Sequence, residues 1–292
     1  MGERHHTFYF LISTGKTIDM TLLQHVTRCM EKIAPLKLAE TAWDNVGVLV
    51  EAPFPRTNAT RIFLTIDLRQ HVLEEALKDP KIGVIVAYHP PIFKAVKRLC
   101  MNDDKQSIAL KCAASGVSIF SPHTALDNCI GGINDWLARG LGVGQTTVIN
   151  AIKDPPADQL GSGSGRIHLL EKPVDIHEMV RRVKSHLKLA HVRLATPTQN
   201  KPITSIAICA GSGASVLMNT KADLYLTGEM SHHEVLAALA DDISVILCEH
   251  TNTERGYLAE VLQPRLQTLL RETEPATEVV VSSIDRDPLV VV

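Results

Sequence analysis

His250 and Glu254 lie four residues apart where an apolar run, residues 244–248, ends and an amphipathic segment begins. If helix has already started at His250, that spacing puts both side chains on one face, where a single divalent cation could bridge imidazole and carboxylate. The same residues also fit a capping box, Thr251-x-x-Glu254, with the glutamate bonded back to the helix start. Three further apolar runs stop in the same way. Residues 81–88 end at His89, residues 117–120 lead to His123 and Asp127, and residues 223–227 end at Glu229, His232 and His233. Four runs of strand character thus each end in histidine, three of them with a carboxylate. In open α/β sheets ligands bind beyond the carboxyl ends of strands, so these residues are expected to converge. Histidine and carboxylate without thiolate suit zinc, manganese, iron or cobalt rather than an iron–sulfur cluster.

The elements that would position these groups alternate along the chain. Leu22, Leu23, Val26, Met30 and Ile33 mark one helix face. Strand-like runs at 46–50, 61–66, 82–88 and 117–120 are separated by helical segments at 68–77 and 104–114, and a helix at 133–141 precedes an extended run at 146–152. This pattern predicts an α/β fold of two αβ halves with mostly parallel sheets. Residues 1–20 read as a flexible N-terminal extension, 21–152 as the first half, 153–165 (KDPPADQLGSGSG) as a linker and 166–292 as the second half. Asp175 is expected to cap a helix whose apolar residues are Ile176, Met179, Val180, Val183 and Leu187.

Composition excludes several classes. With 292 residues, 45% of them hydrophobic, the chain can bury a sizeable core without staples. A net charge of −2 argues against direct nucleic-acid binding, and no run approaches the length of a membrane span. Six cysteines without C-x-x-C spacing read as reduced thiols, and Cys248 as a buried strand residue. No secretory or transit signal is evident, which favours the cytoplasm and leaves the mitochondrion and nucleus open. Other features have plain structural readings: Asp67 as a helix cap, Trp43 as a buried ring beside an Asx turn, and residues 210–215 (AGSGAS) as a tight turn or a phosphate contact.

Five stretches together resemble the Nif-three-like family, the NGG-one-interacting factor three proteins also labelled GTP cyclohydrolase I type 2 homologues. They are AWDNVGV at 42–48, YHPPIF at 88–93, SPHTALDN at 121–128, LTGEMSHHE at 226–234 and EHTNTERG at 249–256. The resemblance implies a ring-forming homo-oligomer, commonly a hexamer, with one or two divalent metals per subunit held by His89, Asp127, His250 and Glu254, the last able to bridge both. The chain resembles the short form of the family, without an inserted domain. Tyr88 stands where many bacterial members carry a second histidine, and a phenol is a poor default ligand. The second metal position is then left empty or completed by another residue, His232 and His233 being the nearest candidates. The implied activity is metal-assisted hydrolysis of a nucleotide-like or phosphorylated small molecule, with His123 and Glu229 as candidate catalytic groups. A metal-handling protein, or an interaction scaffold with a transcription-related partner, would use the same residues.

Overall fold

The computed structural model describes residues 20–292 apart from Asn200, so all but the last residue of the expected N-terminal extension lies outside the described residues. The first helix, Leu22–Ile33, starts at a capping box between Thr21 and Gln24 and turns Leu23, Val26, Met30 and Ile33 into the core. Four strands follow: β1 (Gly47–Val50), β2 (Arg61–Thr65), β3 (Ile82–Ala87) and β4 (Ser118–Ser121). Every residue of β3 is buried, as expected of an uninterrupted apolar run with parallel neighbours on both sides.

The second sheet is built from β5 (Gly144–Ala151), β6 (Gly163–Val174), β7 (Arg193–Ala195), β8 (Ile203–Cys209), β9 (Leu224–Thr227) and β10 (Ser244–Leu247), in the order β5-β6-β8-β9-β10-β7. Its centre, β8-β9-β10, is parallel, and antiparallel strands flank it. The chain then returns to the first sheet through β11 (Glu278–Val281), which pairs parallel with β2 and gives the order β1-β4-β3-β2-β11. The two-sheet, mostly parallel α/β plan read from the alternation is therefore present.

Sheet membership does not follow the sequence boundary at 153–165. β5, before it, pairs along its length with β6, which itself begins inside the glycine-serine stretch at Gly163. β11, near the C-terminus, belongs to the first sheet. One buried cluster joins Val84 and Phe120 of the first sheet to Ile206, Leu226 and Ile246 of the second. Local periodicity marks where strands are, but pairing depends on which apolar faces can be covered together.

Arg166 ties the halves at a single point. It is 2% exposed, pairs with Asp135, and donates to the carbonyls of Gly163, Gly165, Asn128 and Cys129. Two of those carbonyls immediately follow Asp127, so the guanidinium fixes the end of the helix His123–Asn128 against β6. Removing a buried, multiply bonded cation leaves its partners unpaired. Arg166→Met is expected to lower stability by about 3 kcal/mol, read as a lower urea midpoint in equilibrium unfolding.

Candidate metal centre

The carboxyl ends of β2 and β3 deliver the first pair of groups. Thr65 and Ala87 are register partners, so the residues two beyond each, Asp67 and His89, emerge side by side. His89 Nδ1 lies 2.9 Å from Asp67 Oδ1, which turns Nε2 away from Asp67 and toward Glu254. In the second sheet Cys209, Thr227 and Leu247 are aligned in the same way. The turns that follow are stitched through Gly211: its carbonyl accepts from the N–H groups of Gly228 and Glu229 at 3.0 Å, and its own N–H donates to Thr253 Oγ1 at 2.8 Å. His250 Nδ1 lies 2.7 Å from Glu229 Oε1.

Glu254 sits between the two rings. Its residue is 1% exposed, with Oε2 3.5 Å from His89 Nε2 and Oε1 3.6 Å from His250 Nε2. These separations are long for hydrogen bonds, and Oε2 has no hydrogen-bond partner. The ligand atoms of His89, His250 and Glu254 lie within 4.8 Å of one another. Two ligands of one tetrahedral zinc-like ion are roughly 3.4 Å apart, so the spacing suits a shared small cation. Gly211, at φ +61°, keeps the space open: a Cβ there would stand 2.9 Å from both Glu254 Oε1 and His250 Nε2. An orphaned buried oxygen, two imidazoles each oriented by a carboxylate, and a gap that only glycine leaves free all fit a divalent ion.

Other residues from the sequence reading are placed around this cluster. Asp127 and Tyr88 lie in the same cavity, of about 380 Å³, where the Tyr88 phenol donates to Asp127 Oδ1 at 2.7 Å. His123 lines it too, and its ring centroid is 5.5 Å from that of His89. His123 Nδ1 is bonded to Asp44, whose buried carboxylate also accepts from the backbone of Asn45 and Thr124. His232 and His233 open the helix His232–Ala240, exposed and 5.5 Å apart by ring centroids, and neither lines the cavity. Glu229 is half engaged already, as the orienting partner of His250.

Several plain readings give way. Asp67 does not cap a helix; the helix Gln70–Lys78 starts without a side-chain cap, and Asp67 holds His89 instead. Thr251 and Glu254 form no capping box, because Glu254 turns inward and the Thr251 hydroxyl donates to Asp287. Trp43 is 56% exposed rather than buried, set edge-on against Phe93 and His123. The turn at 210–215 serves the cluster through Gly211, and the helix after it is only Ala214–Leu217. Cys248 is buried as expected, whereas Cys209 lines the cavity, its thiol pushed up by burial. Asp67 carried the signal used for the other candidates, a carboxylate at a strand's carboxyl end; a local capping rule hid it.

Electrostatics follow from burial. Burial alone disfavours a charged His89 ring, but the nearby charge of Glu254 and the bond to Asp67 outweigh it and raise its pKa to about 10. Burial lifts Asp127 to about 6, the positive pull of His123 opposing and Glu254 adding to the rise. Burial and the charges of Asp127 and Glu254 push the Tyr88 phenol well above its ordinary range, so it stays a donor. Burial opposes ionisation of Asp67, yet the bond from His89 and the charges of His89 and Arg255 hold it below the usual carboxylate range.

A two-sheet α/β chain with a histidine–glutamate cluster at the strand ends is the class defined so far. The chain belongs to the DUF34/NIF3 family (NGG1p interacting factor 3), whose family model matches residues 21–288. It is 46% identical over 265 residues to a Schizosaccharomyces pombe protein called Protein NIF3 homolog, covering 90% of this chain and 95% of the relative. It is 37% identical to NGG1-interacting factor 3 of Saccharomyces cerevisiae, with 95% and 99% of the two chains covered. A Bacillus cereus protein related to NIF3 shares the fold, with a TM-score of 0.77 at 18% identity over 91% of this chain and 98% of that one. Among the described residues no helix is long and apolar enough to cross a membrane.

A metal ion at His89 would compete with its proton. Its raised pKa means that the metal-free protein gains stability fully below about 6.5 and loses that gain as pH rises through about 10. Uptake of Zn²⁺ near pH 7 is therefore expected to release about one proton, seen as apparent binding enthalpies that vary with buffer ionisation enthalpy. Identical enthalpies in all buffers would contradict it.

Proposed function

We propose that this chain is a divalent-metal protein, its one or two ions held by His89, His250, Glu254 and Asp127, and that it is a metal-dependent hydrolase of a nucleotide-like or phosphorylated small molecule. The observation that carries the metal assignment is the buried, unbonded Oε2 of Glu254 between two carboxylate-oriented imidazoles. Zinc, manganese, iron and cobalt all suit this donor set. The same reading takes the subunits to form a homo-oligomeric ring, commonly of six, in the cytoplasm, with the mitochondrion or nucleus as further locations.

A divalent cation held in this cluster would supply a Lewis acid able to polarise a substrate oxygen and lower the pKa of water. The protein's own groups do the rest. Asp67 and Glu229 hold the Nδ1 protons of His89 and His250 and so aim both Nε2 atoms at Glu254. Tyr88 orients Asp127 through its phenol, which makes it a supporting group rather than a ligand in this reading. Asp44 holds His123 by Nδ1 and leaves its Nε2 free to take or return a proton in the cavity. With Glu229 committed to His250, His123 is the stronger candidate for proton transfer.

The cavity walls support a ring-bearing substrate. Trp43 presents an exposed indole beside His123 and Phe93, a surface on which a base can stack. Carboxylates of Glu40, Asp127 and Glu254 line the same space and no lysine or arginine does, among the described residues. A phosphate would then depend on the cation for its positive partner. The name of the budding-yeast relative, NGG1-interacting factor 3, favours a second reading in which the chain also binds a transcription-related protein.

Elemental analysis after purification without chelator or added metal tests the assignment. Wild type is expected to hold one or two equivalents and Glu254→Gln to lose most of them; metal-free wild type that stays empty when Zn²⁺, Mn²⁺ and Co²⁺ are offered would sink it. Metal uptake that exchanges reversibly without hydrolysis of any nucleotide would move the assignment to metal handling, and partner capture unchanged in Glu254→Gln would favour the scaffold. Trp136 is 2% exposed, so Trp43 is the accessible fluorophore. A nucleoside monophosphate is expected to quench it saturably in the metal-loaded protein, with at least about tenfold weaker binding once metal is removed. Equal quenching with and without metal would show that the ion is not the phosphate's partner.

A further inference from the structure

Residues after β11 run behind the ligand cluster, across the two turns that carry Asp67 and Glu254. Asp285, whose side chain is 4% exposed, places Oδ2 within 2.8 Å of the Thr65 hydroxyl, 2.8 Å of the Ile66 N–H and 3.2 Å of the Asp67 N–H. The same oxygen accepts from Arg255 Nη1 at 2.6 Å. Arg255 follows Glu254 directly in the chain, its Nη2 lies 3.8 Å from Asp67 Oδ2, and it donates to the Thr251 hydroxyl at 2.9 Å. That hydroxyl in turn donates to Asp287 Oδ2 at 2.7 Å. Ser282 and Ser283 anchor the start of the segment on Glu75.

We propose that the C-terminal segment 282–287, through Asp285 and Arg255, is the positioning element of the metal cluster and sets its affinity. The inference rests on the metal reading given above. Asp67 is not held by a helix cap, so the turn that aims it at His89 takes its shape from the donors gathered on Asp285. Glu254 comes from the other sheet, and its turn is fastened to the first sheet by the Arg255–Asp285 pair. One buried carboxylate therefore locks both the group that orients His89 and the turn that carries Glu254. Neither Asp285 nor Arg255 is in the cluster itself, so both act at a distance, through Asp67 and the backbone of Glu254. Orienting partners of this kind change metal affinity by roughly 10–100-fold when removed.

The test uses the full-length chain and Co²⁺, whose absorption bands report ligand geometry, with affinity measured against a chromophoric chelator. Asp285→Asn and Arg255→Lys are each expected to bind Co²⁺ about tenfold more weakly, with shifted bands and a smaller metal-induced rise in Tm. Arg61→Ala is the control: it loosens β11 through Glu278 and the end of the helix Gln70–Lys78 through Asp79, away from the segment, and should lower metal-free Tm while leaving Co²⁺ affinity unchanged. Folded Asp285→Asn and Arg255→Lys proteins with wild-type affinity and spectra would overturn the proposal, as would an equal loss in Arg61→Ala. If Asp285→Asn fails to fold, Arg255→Lys decides alone. A wild type that takes up no metal would instead overturn the underlying metal reading.

Discussion

A carboxylate that is 1% exposed and leaves one oxygen without a hydrogen bond costs several kcal/mol to place in a protein interior. Glu254 is tolerated because positive charge can stand beside it, His89 Nε2 lying 3.5 Å from Oε2. In the metal-free chain the proton held on His89 supplies part of that charge, which is why its pKa is drawn up to about 10. A divalent cation would supply it more completely and release the proton. Four nearby carboxylates have distinct duties: Asp67 and Glu229 orient imidazoles, Asp44 holds His123, and Asp127 takes the Tyr88 phenol. The cluster concentrates negative charge where a cation could be held.

The backbone around the cluster is distorted where the ligands emerge. His123 has φ +29° and Glu249 φ +65°, both in the region that disfavours residues with a Cβ, and Gly211 has φ +61°. Such positions cost on the order of 1–3 kcal/mol each for non-glycine residues and persist when surrounding bonds over-determine them. Those bonds are present. Asp44 engages the His123 ring and the Thr124 N–H, and Arg193 pairs with Glu249 at 2.9 Å. At Gly211 no side chain fits, so the identity of the residue follows from the space that the cluster requires.

Neither sheet could build this site alone. Parallel neighbours within the first sheet align Asp67 with His89, and those within the second align Gly211, Glu229 and His250. The Asp127 helix is held against β6 by Arg166, and the return of β11 carries Asp285 to the back of the cluster. The chain crosses between sheets twice, from β4 to β5 through the helix that carries Asp127 and back through β11, and both crossings bring residues to the cluster. Stability of the fold and geometry of the site thus share the same contacts.

The alternation of apolar runs and amphipathic segments was enough to set the α/β class, the strands and the principle that chemistry gathers at their carboxyl ends, because these depend on local periodicity and chain direction. The histidine–carboxylate spacing likewise marked His89, His123, Asp127, His250 and Glu254 as chemical candidates, and the five family-like blocks pointed to the family that the relatives confirm. Tertiary structure decided what those residues do to one another. Asp67 and Glu254 each satisfied a local capping rule in sequence, but long-range hydrogen bonding and charge outweighed it, turning one toward His89 and the other between two imidazoles. Trp43 had the character of a core residue and stands 56% exposed, because no neighbour covers the cavity rim among the described residues. The partners of Asp285 are more than two hundred positions away in the first sheet and thirty in the second, a separation that no local pattern encodes.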